Sequence, residues 1–436
     1  MLLRFSAKNH ASIKDLQEIS WIASTQLKEE LSHTSDNVLT RNPSLEVLPV
    51  LVLYGANAAG KTNILDALVA FSAGIEGLAG DLTKTIGFRP FALDDESHLE
   101  PSIYEADVAV NGTRYTYGYA HNATGIVQEW LYSFPKGARN TLFERDFTGD
   151  EPHVYFGPSF KPIDRTLRSI AERSNTLLLA HAESINHSMM LPVWLALSYK
   201  VLAVRLSNGP MPETALAQQL KDHHCRDEIV QFLSNIDAGI TDYSVTKEES
   251  SESRKEVFRR LAEFMKTNFN TVVPPDANPD EEYRLTFTHL GVDGKKYEIP
   301  YSDESMGTRY LASLLGPMMI ALAVGGVLVV DEIATNLHTK LSEKIIKLFT
   351  SSTSNPMRAQ LIFSTHDTNL LSRDLLRRDE VWFAEKNDAG ETSVYPLTDF
   401  SARAKENIEK GYLEGRYGAI PFFGRDLSLI KECRES

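Results

Sequence analysis

Cysteine is scarce in this chain. It occurs twice, at Cys225 and Cys433, too few and too far apart for a disulfide framework or a zinc site, and such scarcity fits a reducing cytoplasm. Long apolar runs are missing too: the longest, residues 317–330, carries Gly325-Gly326 in its middle and ends in Asp331-Glu332, so no membrane association is expected. The opening residues, MLLRFSAKNHASIKD, lack the apolar core of a secretory leader. Basic residues are outnumbered, 45 Lys and Arg against 59 Asp and Glu, and a formal charge of −14 repels nucleic acid except at a local basic patch. No apolar heptad pattern persists for the roughly three or four repeats that a long coiled coil needs, and no internal repeat or low-complexity tract occurs. With 42% hydrophobic and 24% charged residues, disordered and fibrous classes drop out and an ordinary globular protein remains.

The strongest signal present lies in residues 51–68. Leu51, Val52, Leu53 and Tyr54 read as a short buried strand, Gly55-Ala-Asn-Ala-Ala-Gly60-Lys61-Thr62 is a Walker A pattern, and Ile64, Leu65 and Leu68 open an apolar-periodic helix. Gly55 and Gly60 free the backbone to curl so that its N–H groups face an anion, and the helix N-terminus adds partial positive charge. In such a loop Lys61 reaches the β- and γ-phosphates of a nucleoside triphosphate and Thr62 holds Mg²⁺.

A second cluster lies more than half the chain away. Val327-Leu-Val-Val-Asp331-Glu332 is a Walker B pattern, in which a buried strand delivers one carboxylate to Mg²⁺ and a second to the attacking water. Upstream, Ser302-Asp-Glu-Ser305-Met-Gly307-Thr308 opens a helix and presents a hydroxyl and free N–H groups to a phosphate. Downstream, Leu361-Ile-Phe-Ser-Thr365-His366-Asp367 is a strand ending in a histidine able to hydrogen-bond a γ-phosphate. Taken singly, Ser305 is an ordinary helix cap and His366 a strand-end histidine; their order and spacing carry the reading.

Between these clusters the pattern is first β, then helical. Residues 2–5 and 15–21 read as two opening strands, the first expected beside the P-loop strand. Residues 103–110 alternate, Asn111-Gly112 supplies a type I′ turn, and residues 114–120 alternate back through Tyr115, Tyr117 and Tyr119. Residues 126–134 and 142–147 extend this antiparallel β-lobe, and the tyrosine row reads as a cross-strand ladder rather than a base-stacking platform. Segments 163–183, 191–205, 213–236 and 252–269 carry apolar residues three and four apart, which predicts helices. The run KEESSESRK, residues 247–255, reads as a solvated helix start or loop. A Pro- and Asp-rich connector, residues 271–282, closes the insertion, and a hairpin of residues 283–290 and 297–301 turns around Asp293-Gly294.

The order Walker A, long insertion, Ser-x-Gly signature, Walker B with Glu, D-loop and switch histidine resembles an ABC-type ATPase, similar within that class to SMC and DNA-repair heads and to the ATPase half of OLD-family nucleases. A compact AAA+ or GTPase core places its two Walker motifs far closer together. GANAAGKTNILDAL, LFERD, Glu304-Ser-x-Gly-Thr308, DEIATNLH, STHDTNLL and Tyr412-Leu-Glu-Gly-Arg-Tyr417-Gly-Ala-Ile-Pro421 narrow the resemblance. They are similar to the standalone AAA/ABC-type ATPases of bacterial defence loci, the ATPase subunit of PARIS-like systems among them, over nearly the whole chain.

The resemblance implies an α/β fold, a P-loop NTPase with an ABC-type ATPase head, an antiparallel β-lobe and a helical insertion, divided as residues 1–161, 162–282 and 283–436. It implies nucleotide contacts at Asn57, Gly60, Lys61, Thr62 and Asn63, metal contacts at Thr62 and Asp331, and catalysis by Glu332 and His366 with Lys61. Ser305 and Gly307 would meet the γ-phosphate held by a second protomer. Residues 336–338 would form the D-loop, with Leu-His where many ABC proteins have Leu-Asp, and Gln128 is the candidate for the Q-loop. ATP and Mg²⁺ are the implied cofactors, and a head-to-tail homo-oligomer is the implied assembly. The implied role is a regulatory ATPase of anti-phage abortive infection, cytoplasmic, answering to a phage-derived trigger. Residues 367–436 are too few for a Toprim domain, so a nuclease effector would act in trans. An SMC-like DNA-binding ATPase for repair, with nucleic acid as partner, and an ATP-gated scaffold with little turnover are the alternatives.

Overall fold

The computed structural model describes residues 1–27, 39, 42, 45–77, 86–198, 200–206, 209–221, 226–236, 239–249, 281–400 and 406–420. The chain divides into two compact units, the first made of Met1–Arg205, Ala321–Ala334 and Ser342–Ser436, the second of Leu206–Ile320 and Thr335–Leu341.

In the first unit, Val50–Tyr54, Val327–Asp331 and Gln360–Ser364 are buried at every residue. Strands buried along their whole length, with runs of Val, Leu, Ile and Phe at their centres, suit a parallel sheet covered on both faces. They join a six-stranded sheet in the order Thr392–Pro396, Val381–Lys386, Val50–Tyr54, Gln360–Ser364, Val327–Asp331, Val201–Arg205, in which only the Thr392–Pro396 edge runs antiparallel. Gln360–Ser364 therefore stands between the strand entering the P-loop and the strand ending in Asp331. Three carboxyl ends come side by side, where open α/β sheets hold their ligands. Helix Lys61–Gly77 follows the P-loop and buries Ile64, Leu65, Leu68, Phe71 and Ile75 along one stripe.

The β-lobe is a seven-stranded antiparallel sheet in the order Gln17–Ser20, Leu2–Lys8, Ser102–Val110, Thr113–His121, Ile126–Ser133, Asn140–Asp146, His153–Phe156. Asn111 and Gly112 take φ of 48° and 74°, the left-handed pair that a type I′ turn requires. Tyr104, Tyr117 and Tyr119 are fully buried around Phe71, with Tyr119 stacked on Phe71 at 5.6 Å between ring centroids. Of the expected tyrosine row, Tyr117 and Tyr119 are core and Tyr115 is half-buried against it.

Three local expectations are corrected. Residues 163–183 are α-helical only over Arg165–Ala171, with a 3₁₀ turn at Leu179–His181. Leu2–Lys8 does not lie beside the P-loop strand but inside the β-lobe, between Gln17–Ser20 and Ser102–Val110. Arg4 gives the reason: its guanidinium pairs with Glu18, Glu105 and Asp107 from the flanking strands, a cluster that a strand buried on both faces has no room to solvate. Residues 191–205 are helical only over Leu191–Leu197, and Val201–Arg205 is a strand pairing with Val327–Asp331. Pairing and the β-branched Val201 and Val204 outweigh the helical period there.

The second unit holds a three-stranded antiparallel sheet, Ile240–Glu249, Glu281–Leu290 and Lys296–Pro300. The hairpin around Asp293-Gly294 is present, with Gly294 at φ 75°. Residues 247–249 extend a strand rather than start a helix, while residues 250–255, the helix expected at 252–269 and the connector up to residue 280 lie outside the described residues. The 213–236 segment forms Glu213–Lys221 and Arg226–Ser234, with residues 222–225 outside the description. Among the described residues one helix, Met306–Val324, is apolar and long enough to cross a bilayer by length and composition, and 61% of its apolar window is buried in the protein, as in a core helix.

Candidate functional site

The P-loop, residues 55–60, leaves the sheet at Tyr54. Gly55 and Gly60 adopt φ of 155° and 101°, and a side chain at either would strike its neighbour: a Cβ on Gly60 would fall 2.0 Å from Thr392 Oγ1, and one on Gly55 2.3 Å from the Ala384 carbonyl oxygen. The loop is thus backed by the last two strands of the sheet. Thr392 Oγ1 donates to the Ala59 carbonyl at 3.1 Å and lies 2.7 Å from Ser12 Oγ, which accepts from Asn63 Nδ2 at 2.6 Å. Asn63 braces the loop through its amide, and Asn57 is exposed at the loop tip. Ser12 and Thr392 carried no local signal, since only the folded sheet brings them to the P-loop.

Lys61 lies inside this curl. Its Nζ donates to the carbonyls of Gly55 at 3.0 Å and Ala56 at 3.1 Å and lies 3.0 Å from His366 Nε2. Burial pushes the Lys61 ammonium below its ordinary pKa, against the pull of Glu332 and Asp331. An anion brought into the loop would restore the lost stabilisation. His366 Nε2 is also 3.2 Å from Glu332 Oε1. That nitrogen serves one neighbour at a time: unprotonated it accepts from Lys61, and protonated it donates to Glu332. Burial alone would raise the Glu332 carboxyl, but the His366 hydrogen bond and charge, with Lys61, outweigh it and hold Glu332 below the usual carboxylate range.

Thr62 Oγ1 lies 3.2 Å from both carboxylate oxygens of Asp331, which is buried. A hydroxyl facing a carboxylate is an all-oxygen donor set of the kind a hard cation such as Mg²⁺ takes, with phosphate and water oxygens completing the shell. The residues fit the metal that the sequence implies. Behind Asp331, Ser364 Oγ donates to Oδ1 at 2.6 Å and accepts the Glu332 N–H at 2.8 Å. Sequence reasoning passed over Ser364, although a hydroxyl closing the apolar run Leu361-Ile362-Phe363 is a signal in itself. Asp66, one turn after Thr62 on the same helix, pairs with Arg205 at 2.6 Å. Burial raises the Asp66 carboxyl despite Arg205 and Arg89.

Ser305, Gly307 and residues 336–338 belong to the second unit. Ser305 Oγ accepts the Thr308 N–H at 3.1 Å and lies 2.8 Å from Thr308 Oγ1, so it caps helix Met306–Val324. Ser305 and Met306 are exposed. A Cβ on Gly307 would approach the Asn336 carbonyl oxygen to 3.2 Å, which places the Ser-x-Gly turn against the D-loop segment. Gln128 sits in the β-lobe and donates to Asp146 at 2.8 Å.

The family model described as "AAA domain, putative AbiEii toxin, Type IV TA system" matches residues 50–372, a span that includes the P-loop, the signature turn, Asp331-Glu332 and His366. Among solved structures, the chain is similar to the SMC head domain from Thermotoga maritima at 12% identity and TM-score 0.38, covering 91% of this chain and 98% of that one. It is similar to an SmcHead bound to the C-winged helix domain of ScpA at 13% identity and TM-score 0.38, covering 90% and 96% of the two chains. A third, the Smc head domain with an extended coiled coil bound to the C-terminal domain of ScpA derived from Pyrococcus furiosus, matches at 12% identity and TM-score 0.34, covering 99% of each. No curated protein matches the chain.

Proposed function

We propose, on the premise that the chain belongs to this AAA family of AbiEii type, that it hydrolyses ATP and uses the nucleotide to switch an assembly that holds or releases a toxic effector. The observation that carries the reading is the meeting of Lys61, Thr62, Asp331, Glu332 and His366 at three neighbouring strand ends. Gly60 and its neighbours bind phosphate through backbone N–H groups, with Asn57 and Asn63 at the loop's rim. Lys61 turns from the Gly55 and Ala56 carbonyls to the phosphates, and His366 Nε2, no longer accepting from Lys61, is free to donate to the γ-phosphate in place of Glu332. Glu332 orients water and takes its proton as the water oxygen bonds to the γ-phosphorus and the bond to the bridging oxygen breaks. Thr62 and Asp331 would hold Mg²⁺, whose chemistry is to spread the charge of the transferred group. Ser305 and Gly307 supply the matching contacts across a head-to-tail dimer.

The family's description names a toxin and a toxin–antitoxin system, and this supports placing the switch in anti-phage abortive infection, as in PARIS-like systems. The partners would be a nuclease acting in trans and a phage-derived trigger, with residues 162–282, apart from the core strand Val201–Arg205, as the docking surface. The test is native mass spectrometry of Glu332→Gln expressed with its neighbouring genes, with Lys61→Ala as control. Nucleotide-bound copies carrying a neighbour's product are expected. Unchanged ATP affinity in Lys61→Ala would overturn the catalytic half, and homodimers shifted only by added DNA would overturn the regulatory half.

A further inference from the structure

We infer that Ser364 is a positioning residue that sets both acidic side chains of the Asp331-Glu332 pair through one hydroxyl; the inference rests on the ATP-hydrolysing reading above. Ser364 ends the strand Gln360–Ser364 directly after the apolar run Leu361, Ile362 and Phe363, and it is fully buried. A hydroxyl there is costly unless its donor and acceptor are both used. Both are: the proton goes to Asp331 Oδ1 at 2.6 Å, and a lone pair takes the Glu332 N–H at 2.8 Å. The Ser364 carbonyl accepts the next N–H, that of Ile333, at 3.1 Å. Both peptides that leave the Walker B strand are therefore tied to one residue of the adjoining strand.

This anchoring matters because Glu332 stands at φ 60°, a left-handed conformation that a side chain other than glycine adopts only when its surroundings hold it. The turn aims the Glu332 carboxylate toward His366 while Asp331 faces Thr62. Removing the Ser364 hydroxyl leaves the Glu332 N–H without this acceptor and frees Asp331 Oδ1 from one of its two hydroxyl contacts. The neighbouring Thr365 hydroxyl is turned to a different partner, accepting the Asp367 N–H at 3.0 Å. Such support for a metal-holding carboxylate and a catalytic group is worth about 10–100-fold in metal affinity or rate.

The test compares wild type, Ser364→Ala and Ser364→Cys. Calorimetry with a non-hydrolysable ATP analogue, in EDTA and in Mg²⁺, reads nucleotide binding apart from turnover. Steady-state hydrolysis across a Mg²⁺ titration reads the catalytic step. For Ser364→Ala we expect affinity in EDTA within about twofold of wild type, a Mg²⁺ requirement raised about tenfold, and kcat lowered about 10–100-fold at nearly constant KM. Ser364→Cys, near in shape but a weaker donor, should fall between them, and it supplies the reading if the alanine variant fails to fold. Wild-type Mg²⁺ dependence and kcat in Ser364→Ala would overturn the inference, as would an equal loss of affinity with and without Mg²⁺. A wild type that binds no nucleotide would overturn the site reading and this inference together, whereas normal wild-type turnover with an unaffected variant removes the inference alone.

Discussion

His10 and His121 are buried beside the same ring: His121 stacks on Tyr104 at 5.8 Å between centroids, and His10 Nδ1 lies 2.7 Å from the Tyr104 hydroxyl. Burial first, then the neighbouring charge of Arg89, pulls His10 down to about 4. Burial, then His10, pulls His121 down to about 4 as well. Both rings are neutral in the folded protein at neutral pH. The unfolded chain takes up protons near pH 6.5 and the folded chain only near pH 4, so stability is full above pH 6.5 and falls as pH drops between those values. Each histidine withdraws at most about 3 kcal/mol over that window. Thermal melts from pH 7.5 to pH 4.5 should show a falling midpoint, and His121→Phe, which keeps the ring packing, should flatten the fall. A slope unchanged in His121→Phe would show that His121 does not carry it.

The strands Ile126–Ser133 and Asn140–Asp146 are held to the segment after them by a buried ion pair. Arg145 bonds Glu129 with both side chains fully buried, and it donates to the Ala171 carbonyl at 2.8 Å and the Thr176 carbonyl at 3.1 Å. Glu129 also accepts from the Tyr117 hydroxyl and from the N–H groups of Leu178 and Leu179. Breaking such a pair from one side strands the other charge, so Arg145→Ala should cost about 3–5 kcal/mol in urea unfolding. Glu129→Gln with Arg145→Met should recover much of that loss, because neither charge is then left buried alone. A loss under about 1 kcal/mol for Arg145→Ala would mean that water or another cation replaces the guanidinium.

This network was invisible in the sequence, and the reason applies to the other omissions. The P-loop, the Asn111-Gly112 hairpin and the Walker B strand are each written in contiguous residues, so pattern and turn chemistry suffice to find them. Val201–Arg205 becomes a strand only through pairing with Val327–Asp331, and Leu2–Lys8 finds its sheet only through acidic partners as distant as Asp107. Ser12 and Thr392 reach the P-loop only through the folded sheet, where a local period carries no trace of them, whereas Ser364 closes an apolar run and is legible as a hydroxyl out of place.

At the scale of the whole molecule, the nucleotide loop and the Ser305 signature turn belong to different compact units. The proposed head-to-tail assembly uses one of each from either copy. Met306, 47% exposed at the start of the signature helix, offers a probe that leaves the Ser305 cap hydrogen bond in place. Glu332→Gln should dimerise when ATP is added, measured by light scattering on a sizing column. Adding Met306→Arg should leave ATP affinity unchanged and keep the protein monomeric. The formal charge of −14 sets the salt dependence of that dimer. Two acidic copies repel, and salt screens the repulsion within about 8–10 Å at physiological ionic strength, so the ATP-induced dimer should hold or strengthen as salt rises. An assembly mediated by DNA would weaken steeply over the same range through counterion release. A dimer insensitive to Met306→Arg would remove the signature turn from the interface, and one that dissolves with salt and returns with added DNA would replace the regulator with a clamp.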